Sequence, residues 1–164
     1  MARVVGALAA TLLILSVTAA IAGENPLLGT WKLKSFVREV AATGERDNER
    51  GEHPNGYLGY AADGRMYAMI TWDNRANPHD VVPTNEERLR LYGTMISYAG
   101  TYTMDAEKVI HHVDISWNQI WTGTDQVRFY KLEGNTLTIT SAPALNPTDG
   151  RQGRSILLWE KLAP

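Results

Sequence analysis

Turn-forming residues divide the chain after residue 27 into short segments, and this spacing limits the folds open to it. Glycine, proline, asparagine and aspartate recur at short intervals, as at Pro54-Asn55-Gly56, Asp63-Gly64 and Glu133-Gly134-Asn135. Segments of this length between turns are typical of β-strands. We predict eight strands, at residues 31–37, 57–62, 65–72, 98–104, 108–116, 126–132, 136–140 and 155–161.

Residue alternation indicates which side of a strand lies in the core. The first strand carries two alternating sets, Trp31, Leu33, Ser35 and Val37 against Lys32, Lys34 and Phe36. We expect the set that contains Trp31 to face inward, because the lysine side must reach water. The last strand offers two comparable faces, one with Leu157 and one with Ile156, and the pattern does not choose between them.

Two local signals organise the chain between strands. Asp63-Gly64 predicts a two-residue hairpin, since glycine tolerates the positive φ of a type I′ turn. Thr84 and Glu87 have the spacing of a capping box, and Leu89, Tyr92 and Ile96 follow at helical intervals. We therefore predict one inserted helix at about 84–97.

These elements predict a mainly β domain. Eight antiparallel strands in about 140 residues can close into an up-and-down barrel, whose interior holds packed side chains or one small ligand. The alternative is an open β-sandwich with the helix packed on one sheet.

The N-terminal residues 1–22 have a different composition from the rest. Arg3 is their one charged side chain, residues 4–17 are almost wholly apolar, and Ala20-Ile21-Ala22 has a small-x-small pattern. This pattern predicts a signal peptide cleaved after Ala22, with residues 23–164 as the mature domain in the periplasm or outside the cell. The alternative is an uncleaved anchor, although the apolar run is shorter than the roughly 20 residues that span a bilayer. After cleavage we expect no membrane-spanning segment.

Composition and missing motifs exclude several classes of function. The chain has no cysteine, so it has no disulfide, thiolate metal site or cysteine nucleophile. A net charge of −2 gives no reason to expect a nucleic-acid partner. The sequence contains no nucleophile elbow, phosphate-binding loop or zinc-binding helix motif. We predict no metal, no cofactor and no catalytic residue.

Several motifs together resemble one family. Leu28-Gly29-Thr30-Trp31 resembles the Gly-x-Trp signature of lipocalins. The further matching segments are Gly56-Tyr57-Leu58-Gly59-Tyr60, Tyr98-Ala99-Gly100-Thr101-Tyr102, the segment from Trp121 to Arg128, and Leu158-Trp159-Glu160. Over residues 27–162 the chain resembles the bacterial and fungal lipocalin-like domain family. The resemblance implies a calycin-type barrel, and in some fungal relatives a role in binding or rearranging hydrophobic intermediates. It also implies that a basic residue of the last strand covers Trp31, and Arg154 is the candidate.

A group of aromatic and polar strand residues is the candidate ligand site, because an apolar pocket with a few polar anchors needs these side chains. Its members are Trp31, Tyr67, Met69, Tyr98, Tyr102, His111, Trp121, Arg128 and Tyr130.

Two residues of this group have alternative roles. His111 shares a strand side with Val109, Val113 and Ile115, so we expect it inside the barrel. It is either a hydrogen-bonded core histidine or a ligand contact and general base. Arg128 either forms an ion pair, with Asp114 or Asp125 as partner, or binds a ligand carboxylate.

The sequence leaves three functional hypotheses. The first is an exported barrel that binds a small hydrophobic or amphipathic molecule in its interior. The second is an isomerase or cyclase in which His111 or Arg128 moves or stabilises charge. The third is a filled barrel that acts as a structural or interaction module.

Overall fold

The computed structural model of the protein describes residues 25–145 and 149–163. The predicted signal peptide and its cleavage site lie outside these residues. The described residues contain one α-helix, α1 (Asn85–Gly93), and a 3-10 turn at Gln119–Trp121. Their strands are β1 (Gly29–Val40), β2 (Arg46–Asp47), β3 (Asn55–Tyr60), β4 (Arg65–Thr71), β5 (Met95–Met104), β6 (Lys108–Ser116), β7 (Asp125–Glu133), β8 (Thr136–Ser141), β9 (Ala144–Leu145) and β10 (Gln152–Lys161).

The long strands form a closed antiparallel barrel. Hydrogen-bonded neighbours follow the order β1-β3-β4-β5-β6-β7-β8-β10, and β10 pairs again with β1. The short strand β2 pairs with the end of β1, and the short strand β9 pairs with the start of β10. The prediction of an eight-stranded up-and-down barrel with one helix is confirmed, and the open sandwich is excluded because the sheet has no free edge along these strands.

The helix is shorter than predicted. Thr84 and Glu87 form the expected capping box, with the Thr84 Oγ1 atom accepting from the Glu87 amide at 3.2 Å. The helix ends at Gly93, and Ile96 lies in β5, where it pairs with Ile70 of β4. The helical spacing was misleading because Leu89 is 72% exposed and Ile96 faces the barrel core, so they do not share a helix face.

Two β-bulges change which side chains face inward. In β1 the pairing with β10 shifts between Leu33 and Ser35, so Trp31 and Leu33 are buried before the bulge and Phe36 is buried after it. The predicted outward position of Phe36 was wrong because the extra residue, Lys34, reverses the alternation.

The second bulge lies in β6 opposite β5. Ala99 pairs with Ile115 and Gly100 pairs with Val113, which leaves Asp114 unpaired. As a result Ile115 is 66% exposed, although it was expected on the inner side with His111. Gly100 fits this bulge because a Cβ atom there would lie 1.9 Å from the carbonyl oxygen of His112.

Trp31 closes one end of the barrel. Its side chain is fully buried, and its Nε1 atom donates to the carbonyl oxygen of Leu27 at 2.8 Å, so the segment before β1 folds across this end. Lys161 places its ammonium 5.3 Å from the centre of the Trp31 ring. Arg154 was expected in this position, but it lies seven residues earlier in β10 and donates to Glu39 at 2.8 Å.

No helix among the described residues is long and apolar enough to cross a membrane.

Candidate ligand-binding site

The barrel contains a cavity of about 430 Å³ at the end opposite Trp31, which we call the open end. Glu49, Arg50, Pro143 and Ala144 border it where β1 ends and β10 begins. Its apolar wall includes Phe36, Leu58, Ala68, Ile70, Ile96, Ile139, Leu157 and Trp159. The inward face of β10 is therefore the one that contains Leu157. The volume lies within the range of small-molecule sites in proteins, about 300–1,000 Å³.

Four of the predicted site residues line this cavity: Tyr98, His111, Trp121 and Arg128. They come from β5, β6, the 3-10 turn and β7, and the antiparallel pairing of these strands brings them together.

Three predicted residues pack nearer the closed end and do not line the cavity. Trp31 is fully buried there, and the Tyr102 hydroxyl donates to the carbonyl oxygen of Ala61 at 3.0 Å. The Tyr130 hydroxyl donates to the carbonyl oxygen of Asp105 at 2.8 Å. These side chains form the filled part of the barrel interior.

Tyr67 and Met69 lie on the outer face of the barrel. They are 44% and 52% exposed, whereas Met66, Ala68 and Ile70 of the same strand are buried. The expectation that they face the interior was wrong because both faces of this strand carry apolar residues and the sequence favours neither.

His111 is the centre of a buried polar cluster. Its side chain is 1% exposed, its Nε2 atom lies 2.8 Å from the Tyr60 hydroxyl, and its Nδ1 atom lies 2.9 Å from the Tyr98 hydroxyl. One hydroxyl donates to the bare ring nitrogen and the other accepts from the ring N–H, so both nitrogens have partners. Tyr60 was not among the predicted site residues. A usable signal was that it lies two residues after the apolar Leu58 in β3 and so shares its side of the strand.

Burial keeps this cluster uncharged. Desolvation, aided by the positive charge of Arg128 and by the neighbouring His112 ring, lowers the pKa of His111 to about 3. Desolvation also raises the pKa of Tyr60 and Tyr98 above the usual tyrosine value. At neutral pH the cluster therefore consists of one imidazole and two phenols, and His111 is a poor base.

Arg128 projects into the cavity without an acidic partner. Its Nη1 atom donates to the carbonyl oxygen of Val127 at 3.0 Å, and its Nη2 atom donates to the Gln126 side chain at 3.2 Å. Within the described ranges, no salt bridge involves Arg128, so neither predicted partner holds it. Asp125 instead accepts from His112 at 2.7 Å, and Asp114 lies exposed at the bulge.

The other arginines that border the cavity are paired. Arg38 is buried and donates to Asp149 at 3.0 Å, while Arg50 donates to Glu49 at 2.7 Å. A backbone hydrogen bond from Arg151, with further help from the Arg151 side chain and Arg38, lowers the pKa of Asp149 to about 2. Asp149 is therefore ionised at neutral pH and balances Arg38 and Arg151 beside it.

A chain of polar side chains crosses the outer face of three strands. The Nε2 atom of His112 lies 3.0 Å from the Thr103 hydroxyl, and its Nδ1 atom donates to Asp125 at 2.7 Å. The order of groups is that of a hydrolytic triad. Asp125 borders the cavity, but Thr103 and His112 do not, so the hydroxyl and the imidazole of this chain face no pocket that could place a substrate. In residues 25–145 and 149–163, no group of three or more histidine, aspartate or glutamate side chains is placed to hold a metal ion.

The neutral His111 predicts a pH dependence of stability. Its folded pKa is about 3 and the ordinary value is 6.5, so the unfolded chain binds the extra proton as the pH falls below 6.5. Stability is therefore fully present above pH 6.5 and is lost toward pH 3, with a loss of about 2 kcal/mol between pH 7 and pH 5.

Urea unfolding at pH 7 and pH 5 measures this contribution. The substitution His111→Gln retains hydrogen-bonding groups and removes the titration, so we expect this part of the pH dependence to disappear. The substitution His112→Gln, at the neighbouring half-exposed histidine, is the control and should retain it. Equal pH dependence in the wild-type protein and His111→Gln would contradict the account.

Comparison with known proteins agrees with this fold. A search of curated proteins found no match. A protein-family model described as a lipocalin-like domain matches residues 28–162, which include all the described strands. A match of this extent shows that the chain belongs to the lipocalin-like domain family.

Proposed function

We propose that the protein is an exported lipocalin-like binding protein that holds a small hydrophobic or amphipathic molecule inside the barrel. The observation that carries this proposal is the cavity of about 430 Å³ at the open end. The lipocalin-like fold supports a ligand-binding type of domain.

The lining of the cavity supports an apolar ligand with few polar contacts. Side chains such as Leu58, Ile139 and Leu157 form much of its wall. Burying apolar ligand surface against them contributes about 25 cal/mol per Å², before the cost of ordering the ligand is subtracted. His111, Tyr98 and Arg128 supply polar groups on one side and can fix its orientation.

Binding is better supported than the two alternatives. An isomerase or cyclase that used His111 as its base would need this ring to accept a proton near neutral pH, but both of its nitrogens already have partners and its pKa is about 3. A filled barrel would leave no cavity of this size among the side chains. The site therefore has the features of a binding site more than those of an active site.

The proposed function can be tested with N-phenyl-1-naphthylamine, a neutral apolar probe whose fluorescence rises in apolar surroundings. We expect the wild-type protein to bind it. The substitution Ala68→Leu places a larger side chain in the cavity wall and should weaken binding about tenfold, or about 1.4 kcal/mol. Its stability to urea should be unchanged or higher, because the added carbons fill empty space.

The matched control is Ala99→Leu on the neighbouring strand β5. Ala99 alternates with the inward residues Tyr98 and Gly100, does not border this cavity, and should leave the probe affinity unchanged. The proposal is contradicted if the wild-type protein does not bind the probe, or if the two substitutions weaken binding equally.

Export is proposed from the N-terminal residues alone. The short apolar run followed by Ala20-Ile21-Ala22 supports cleavage after Ala22 and a periplasmic or secreted protein. N-terminal sequencing of the protein purified from its own cells should begin at Gly23. A chain that begins at Met1 or Ala2 would show that this segment is retained.

A further inference from the structure

We infer that the cavity selects ligands that carry a carboxylate, and that the guanidinium of Arg128 binds this group. The inference rests on the proposed function and names the class of molecule that the barrel would take, an amphipathic monocarboxylic acid.

The arginines that border the cavity differ in whether a carboxylate of the chain pairs with them. Arg38, Arg50 and Arg154 each donate to a carboxylate of this chain. Arg128 takes part in no salt bridge within the part of the chain that the structure describes. The chain thus supplies an anion to every arginine of this group except the one on β7.

Arg128 contacts uncharged groups instead of a carboxylate. It donates to a neighbouring carbonyl oxygen, to the side-chain amide of Gln126 and to the Tyr98 hydroxyl, which are all uncharged. A guanidinium has five N–H donors in a fixed fork that matches a carboxylate. A partly buried charge without a counterion is unfavourable, so binding an anion there relieves a cost already present in the empty protein.

The polar cluster of Tyr60, Tyr98 and His111 beside Arg128 carries no charge that could balance it. The Arg128 charge reaches the polar cluster, where it opposes the burial effect on the pKa of Tyr60 and Tyr98 and lowers the pKa of His111. These groups are uncharged at neutral pH, so none of them balances the arginine. In the tautomer with a proton on Nδ1 of His111, the Tyr98 hydroxyl accepts that hydrogen bond and is free to donate to an incoming oxygen.

The position of Arg128 sets the orientation of the ligand. Arg128 pairs across the sheet with Val109, which is fully buried. The Arg128 side chain therefore projects from the inner face of the barrel. A carboxylate bound there lies inside the barrel, and the apolar part of the ligand meets side chains such as Phe36 and Ile139. Charge-assisted hydrogen bonds in such surroundings are stronger than those in water.

The inference can be tested with 11-(dansylamino)undecanoic acid and its methyl ester, which differ in the carboxylate alone. At pH 7.5 we expect the wild-type protein to bind the acid at least about tenfold more tightly than the ester. The substitution Arg128→Gln should lower the affinity for the acid to about that for the ester, so the acid-to-ester ratio measured in this variant should fall to about one.

The matched control is Lys131→Gln. Lys131 lies on the same strand, is exposed, and pairs with Glu133 at 2.9 Å on the outer face. The substitution Lys131→Gln removes the same unit of charge as Arg128→Gln, but it does so outside the cavity. The acid-to-ester affinity ratio of this control should therefore match that of the wild-type protein. An equal loss of the ratio in this control would mean that net charge, and not Arg128, produces the preference.

The remaining outcomes separate the inference from the proposed function. If the wild-type protein binds acid and ester equally, the inference is overturned and the proposed function stands. If it binds neither of these probes nor N-phenyl-1-naphthylamine, the proposed function fails. The comparison of acid and ester in the wild-type protein requires no variant. The substitution Arg128→Lys is a second variant, which retains the charge but not the forked guanidinium, and it should retain part of the preference for the acid. An Arg128→Gln protein that prefers the acid as strongly as the wild type also overturns the inference.

Discussion

The pairing of β1 with β10 is the constraint on which the rest of the structure depends. It joins the first and last long strands, so the sheet has a fixed interior and no free edge along them. Because of the bulge at Lys34, β1 places an aromatic side chain inward at both ends of that interior: Trp31 at the closed end and Phe36 at the cavity. Without this change of face, Phe36 would project into water on the side of Lys32 and Lys34, and Ser35 would point into the barrel.

The buried polar cluster lies between the filled and the empty parts of the interior. Tyr60 contacts Tyr102 on the closed side with 4.8 Å between ring centres, while Tyr98 and His111 border the cavity. Since all the hydrogen-bonding atoms of the His111 ring have partners, this part of the wall is rigid without being charged. Arg128 differs from this neutral cluster because it is charged and has no carboxylate partner among the described residues, so one side of the cavity is positively charged.

Local patterns in the sequence were sufficient for the strand order, the position of the hairpin between β3 and β4 and the inward position of His111, because each depends on alternation or turn chemistry near the residue itself. The predicted two-residue type I′ turn was wrong, because the turn spans Ala61–Gly64 and Asp63 lacks the positive φ that this turn type requires. The other errors arose where one residue changed the phase or where both faces were apolar. The bulges displaced Phe36 and Ile115, and β4 gave no signal that Met69 faces outward. The cavity, and the absence of a partner for Arg128, depend on how distant strands meet, which no single segment encodes.

The most direct test of the account is native mass spectrometry of the protein purified from its own cells, followed by the same measurement after denaturation. The account predicts a population that carries one small molecule per chain, which is released on denaturation and can then be identified. A ligand-free mass that persists after incubation with a total lipid and metabolite extract of those cells would contradict it.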